Sequence, residues 1–157
     1  MKKAPFSIFQ QTVQYFPTFS INIILKNTDG KILFVKRKNN PVKGALWVPG
    51  GRILNGETVK DAVMRILKEE TGLEAKLIHL SDHYLEEFFD TKDFQGDPNY
   101  TPETRFVHYL TTVAVMKIEE EGVIELDSQS SDYEWCDTIP TNHPYLNAYF
   151  ELVKSHL

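Results

Sequence analysis

The apolar and polar positions of the chain fall into short strand-like runs around one clear helix. FSINIILKN (Phe19 to Asn27) and KILFVKR (Lys31 to Arg37) are apolar and β-branched. They flank Asn27, Thr28, Asp29 and Gly30, a turn-forming set, so they predict a β-hairpin. LWVPGGRIL (Leu46 to Leu54) mixes strand signals with Pro49, Gly50 and Gly51, where the backbone must bend. From Thr58 to Thr71 the apolar residues Val59, Ala62, Val63, Ile66 and Leu67 recur at the spacing of one helical face. Thr58 with Asp61 supplies a capping box and Gly72 a stop. LEAKLIHLSDHYLEEFF (Leu73 to Phe89) and RFVHYLTTVAVMKI (Arg105 to Ile118) read as two long strands. The polar segment joining them, Asp90 to Thr104, is a candidate substrate lid. A short strand around YEWC follows, then a closing helix that Asn142 would cap.

The chemistry concentrates on the helix. With residues about 100° apart around its axis, Glu70 falls near the middle of the apolar stripe and Glu69 at its edge. An inward carboxylate needs a cation, donors or a proton, because burying it alone costs several kcal/mol or more. Two adjacent acids beside the carbonyls of a Gly-Gly turn make a hard-oxygen site for Mg²⁺ or Mn²⁺.

Composition narrows the choice of partner. The 157 residues, 41% hydrophobic, suffice for one core, and neither a repeat nor a linker marks a second domain. One domain over 1–157 is expected, with an N-terminal extension over about 1–17. A net charge of -5 lacks the positive field that nucleic-acid backbone binding needs, although a small nucleotide remains possible. No apolar run is long enough to cross a bilayer. The single cysteine, Cys136, forms no internal disulfide, reads as a small core residue and fits a reducing cytoplasm. Phe6, Ile8, Phe9, Val13 and Phe16 form an apolar N-terminal segment that one small domain would not fully cover, so a homodimer is expected.

The spacing of Gly51, Glu57, Arg65, Glu69, Glu70, Gly72 and Leu73 resembles the Nudix box, the signature of Mg²⁺-dependent hydrolases of nucleoside diphosphates linked to another group. The box usually has a glutamate directly after the arginine; here Ile66 stands in its place. KRKNNPVKGALWVPGGRILNGET and QSSDYEW resemble the GDP-mannose mannosyl hydrolase branch, which lacks the same glutamate, and the similarity covers roughly residues 17–155, strongest from Arg37 to Leu73. The resemblance implies the α/β Nudix fold, a mixed β-sheet sandwiched between helices. It implies a single metal ion and water attack on the anomeric carbon of a nucleoside diphosphate sugar, releasing GDP and free hexose. Carried over by position, the Gly50 carbonyl, the Glu70 carboxylate and the Gln129 amide oxygen would hold Mg²⁺, with Glu69 a further candidate. Arg37 and Arg52 would neutralise the diphosphate, and Tyr109 would sit near the leaving group. Arg65 is either a phosphate partner or a structural partner of a nearby acid.

Three departures bear on mechanism. Besides Ile66, the family's catalytic histidine after the metal-binding glutamine is Ser130 here, whose hydroxyl has no useful basicity near neutral pH. Asn22 stands where the family often has an acid contacting substrate. Substitute bases are His83, His108, Asp127, Asp132 and Glu69. Three functions follow: hydrolysis of a GDP-hexose at carbon, pyrophosphate cleavage of a related nucleotide, or sugar-nucleotide binding with weak catalysis.

Overall fold

The computed structural model describes residues 5–40, 42–90, 106–140 and 142–157. Along them run α1 (Phe6–Tyr15), β1 (Thr18–Lys26), β2 (Ile32–Arg37), β3 (Leu46–Trp47), β4 (Gly50–Arg52) and α2 (Val59–Thr71). Then come β5 (Lys76–Leu80), β6 (Leu85–Asp90), β7 (Phe106–Lys117), β8 (Ser130–Cys136) and α3 (Pro144–Leu152). All the strands join one mixed sheet. Its centre is the parallel ladder of β1 on β7, from Thr18 opposite Tyr109 to Lys26 opposite Lys117.

Alternation along β1 builds two cores. Ile21, Ile23 and Leu25 pack with Ala62, Val63, Ile66 and Leu67 of α2 on one face. Ile24 packs with Val113, Val115 and the α3 residues Leu146, Tyr149 and Phe150 on the other. Each such aliphatic side chain, fully buried, contributes about 1.5–3 kcal/mol, which sandwiches the sheet between α2 and α3. The α2 boundaries follow local chemistry. Thr58 Oγ1 accepts the Asp61 amide at 3.2 Å while Asp61 accepts the Thr58 amide, and Gly72 ends the helix at φ 73, where only a residue without Cβ is at ease.

Three expectations change. The predicted hairpin is splayed: β1 and β2 share one antiparallel rung, Lys26 opposite Ile32, and β4 then takes the β1 edge at Ser20 to Asn22. Residues 73–89 form two strands rather than one. Ser81 Oγ accepts the His83 amide at 3.1 Å, while Thr112 Oγ1 donates to the Ser81 carbonyl at 2.9 Å and to that of His83. Side-chain bonds of this kind compete with a continuing ladder, and the chain turns there. At α3 the cap is His143, whose Nδ1 accepts the Tyr145 amide, whereas Asn142 Oδ1 accepts from Asn147. Apart from Asp90, the expected lid lies outside the described residues. In α1, Val13 is buried with Phe89 and Val107 and Ile8 is exposed, as is Phe16 just past the helix, while the Phe6 side chain is outside the described residues.

Candidate active site

Where β2 parts from β1 and β4 replaces it, the sheet forks. A cleft of about 770 Å³ opens there, and Arg37, Gly50, Arg52, Glu69, Glu70, Tyr109 and Gln129 all line it. The residues singled out from sequence, spread over β2, β4, α2, β7 and the residue just before β8, therefore meet in one place.

At the α2 rim, the Gly50 amide donates to Glu70 Oε2 at 3.1 Å, drawing the inward carboxylate onto the Gly-Gly turn. Gly50 has no room for a side chain: an added Cβ would stand 2.2 Å from Asn22 Oδ1 and 2.9 Å from the Ile21 carbonyl oxygen. Asp127 accepts both the backbone amide of Gln129 at 2.9 Å and its side-chain Nε2 at 3.0 Å. With Nε2 given to Asp127, Oε1 is the Gln129 atom left for a cation. Among the described residues no three His, Cys, Asp or Glu side chains converge as a metal centre. Carboxylate, amide and backbone-carbonyl oxygens are nevertheless the hard donors that Mg²⁺ prefers, so these residues fit one such ion in kind.

The three arginines differ. Burial pulls the Arg37 guanidinium below its ordinary range, opposed chiefly by the Glu70 charge. Arg52 is lowered by burial too, opposed by Tyr109, and its Cζ lies 3.6 Å from the centre of the Phe9 ring. Arg65 is engaged structurally. Its Nε and Nη2 both donate to Glu57, Nη2 also to the Arg52 carbonyl at 2.9 Å, and Nη1 to Glu69 at 3.3 Å. Ile66 is 2% exposed in the α2 core, directly beneath Gly51, where an added Cβ would stand 3.1 Å from its Cγ1. It packs in the place where the family's usual box carries a carboxylate.

Sequence reading missed the acid in the cleft floor. Glu87, 3% exposed, lines the cleft and accepts from Tyr149 Oη and from Thr111 Oγ1, the latter at 2.7 Å. Thr111 in turn meets the Ser20 hydroxyl at 2.6 Å, and the Asn22 side chain donates to Tyr149. Burial raises the Glu87 carboxyl above the usual range, and the two hydroxyl donors oppose the rise. A signal was available: Leu85, Glu87 and Phe89 alternate onto one strand face, with an acid among apolar residues. Tyr149 could not be found that way, because α3 reaches the cleft only through tertiary packing.

Of the substitute bases, Asp127 and Glu69 line the cleft and His83, His108 and Asp132 do not. His83 pairs with Asp82, and His108 stacks on Phe88 with ring centres 4.3 Å apart. Ser130 opens β8 on the cleft wall, 7% exposed. Cys136 is half-buried at the edge of the α3 core, as a small packing residue would be.

The NUDIX domain family matches residues 17–141. Among curated relatives, the low-salt glycan biosynthesis protein Agl8 of Haloferax volcanii is 27% identical over 150 residues, covering 95% of this chain and 90% of Agl8. An ADP-ribose pyrophosphatase of Methanocaldococcus jannaschii is 48% identical over 68 residues, 43% of this chain and 40% of the pyrophosphatase. Among solved structures, the MutT protein of Methanosarcina mazei Go1 superposes with a TM-score of 0.64 at 16% identity, over 88% of this chain and 95% of its own. The NUDIX domain of Shewanella oneidensis NrtR, complexed with ADP ribose, does so at 0.54 and 18% identity, over 88% and 87%. These structural likenesses concern the fold. No helix among the described residues is long and apolar enough to cross a membrane.

Proposed function

This chain belongs to the NUDIX domain family, and on that premise we propose that it is a Mg²⁺- or Mn²⁺-dependent hydrolase of a nucleoside diphosphate sugar. The favoured reaction converts GDP-mannose or GDP-glucose to GDP and free hexose. We read residues 1–157 as one catalytic domain with α1 as its extension, working in a reducing cytoplasm. The exposed Ile8, Tyr15 and Phe16 favour a homodimer.

One observation carries the reading. Arg37 and Arg52 line the same cleft as Glu70, Gly50 and Gln129, and Ile66, packed in the core, meets that cleft with an apolar side chain and no carboxylate, a donor set suited to a single cation beside a diphosphate. The bound ion would neutralise charge on the diphosphate and so favour its departure. Arg37 and Arg52 add in-plane donors to the phosphate oxygens. Tyr109, raised above its ordinary range by burial, stays a neutral phenol able to donate to the leaving oxygen. Water oxygen bonds to the anomeric carbon as the carbon–oxygen bond breaks, its electron pair leaving with GDP. The proton of the water passes to a cleft carboxylate, for which Asp127 and Glu69 are the candidates.

The match to the pyrophosphatase of Methanocaldococcus jannaschii favours a second reading, attack at phosphorus in a substrate such as ADP-ribose. Hydrolysis in ¹⁸O-labelled water separates the two. Attack at carbon leaves GDP unlabelled and labels the hexose. GMP with hexose phosphate from the GDP-sugar, or AMP with ribose 5-phosphate from ADP-ribose, one product labelled at a phosphoryl oxygen, would establish the second. Tight nucleotide binding without turnover under either metal would point to a binding protein.

A further inference from the structure

Helix α1 precedes the family-matched residues 17–141, yet its Phe9 side chain lines the cleft. The Arg52 Cζ lies 3.6 Å above the centre of that ring, well inside the range in which an aromatic face attracts a guanidinium. We propose that Phe9 is a positioning residue that holds Arg52 ready for the diphosphate, so that α1 is a working part of the active site. The inference rests on Arg52 being a diphosphate partner, as proposed above.

Stacking suits this task because it uses only the π-face of the guanidinium. The N–H donors lie in the plane of the group and stay available to an anion. The structure contains no hydrogen bond from the Arg52 guanidinium to a described residue; in the same network it is the Arg52 carbonyl that accepts, from Arg65. Arg65 shows the contrasting case, since its donors are spent on Glu57, Glu69 and that carbonyl. A long side chain pinned on one face and unspent at its edge can meet phosphate oxygens with little reorganisation.

Phe9 is itself held in place. Val13, one turn further along α1, is 4% exposed in a cluster with Phe89 and Val107, and both Phe9 and Tyr109 pack against that cluster. Phe89 and Tyr109 meet edge to face, with ring centres 5.9 Å apart. The helix therefore leans on the aromatic wall of the cleft, and Arg52 inherits its position from that wall.

The test is a double-mutant cycle on the full chain with Phe9→Leu, Arg52→Ala and both together, read by titration of Mg²⁺-GDP and Mg²⁺-ADP-ribose and by kinetics on GDP-mannose. Leucine keeps an apolar contact and deletes the π-face. We expect Phe9→Leu to raise the GDP Kd and the KM about three- to tenfold with kcat changed less than about twofold. Phe9→Trp should stay near wild type. In the Arg52→Ala background the leucine substitution should add nothing, which a purely structural role for Phe9 would not produce. Melting curves establish that each variant is folded, and Phe9→Met replaces Phe9→Leu if the latter melts early. Wild-type affinity in the leucine and methionine variants, or an equal loss with and without Arg52, overturns the proposal. A wild-type protein that binds neither nucleotide overturns the reading of the cleft itself, a separate and recognisable result.

Discussion

Arg65→Met tests whether this arginine holds the fold or the substrate. Methionine keeps an unbranched helix-forming side chain and removes every donor. Glu57, with a side chain 1% exposed, would then keep only the Leu54 amide at 2.6 Å. Removing one partner of a buried ion pair costs about 3–5 kcal/mol. Arg65 is itself 20% exposed, so water screens part of the effect and the low end, about 3 kcal/mol, applies. The Glu69 contact, with that carboxylate 41% exposed, adds only a few tenths. For a chain of this size the melting temperature should fall by about 6–12 °C. The sign with pH follows from Glu57, which its hydrogen bond to Arg65 holds below the ordinary carboxylate range. Stability from a depressed carboxyl is present above its unfolded pKa and is lost as pH falls through the folded value. The gap between wild type and variant should therefore close on acidification below about pH 4. Circular-dichroism melts from about pH 2 to pH 8, with KM measured alongside, decide the matter. An unchanged melting temperature with KM raised more than about tenfold would show that Arg65 binds phosphate.

Two further outcomes are expected. Glu70→Gln should leave the melting temperature within about 2 °C, because size and helix propensity barely change, while Mg²⁺ titration shows weakened binding and turnover nearly vanishes; turnover at the parental rate would remove Glu70 from the ligand set. Glu87→Gln should gain stability relative to wild type as pH rises. A carboxyl raised by burial favours the fold fully below its unfolded pKa and loses that contribution as pH passes the raised value. Melts at pH 4 and pH 8 that move in parallel for the two proteins would refute it.

Most of α2 was legible because its determinants are local: the cap at Thr58 and Asp61, the apolar stripe and Gly72 all act within a few residues. Spacing along that helix also predicted that Glu70 turns inward, and Gly50 meets it. Where distant segments compete, reading failed. The hairpin at Asn27 to Lys31 formed its turn, but the number of its rungs depended on β4 claiming the β1 edge. The break at Ser81 required Thr112 from another strand. Glu87 acquires meaning only when Tyr149 and Thr111 donate to it, one from a helix 62 residues away.

The forked sheet also constrains the order in which the protein can be made. Its cleft needs β1 from the start of the chain, β7 well past the middle and Tyr149 near the end; the Ser20 to Thr111 contact alone spans 91 residues. Parallel ladders closed over such separations form late, since loop entropy must be overcome before the contacts reward it. On the ribosome, α2 and its acidic tip emerge long before the partner strand that gives them a floor. A nascent chain therefore carries its signature residues for much of its synthesis with no cavity in which to use them.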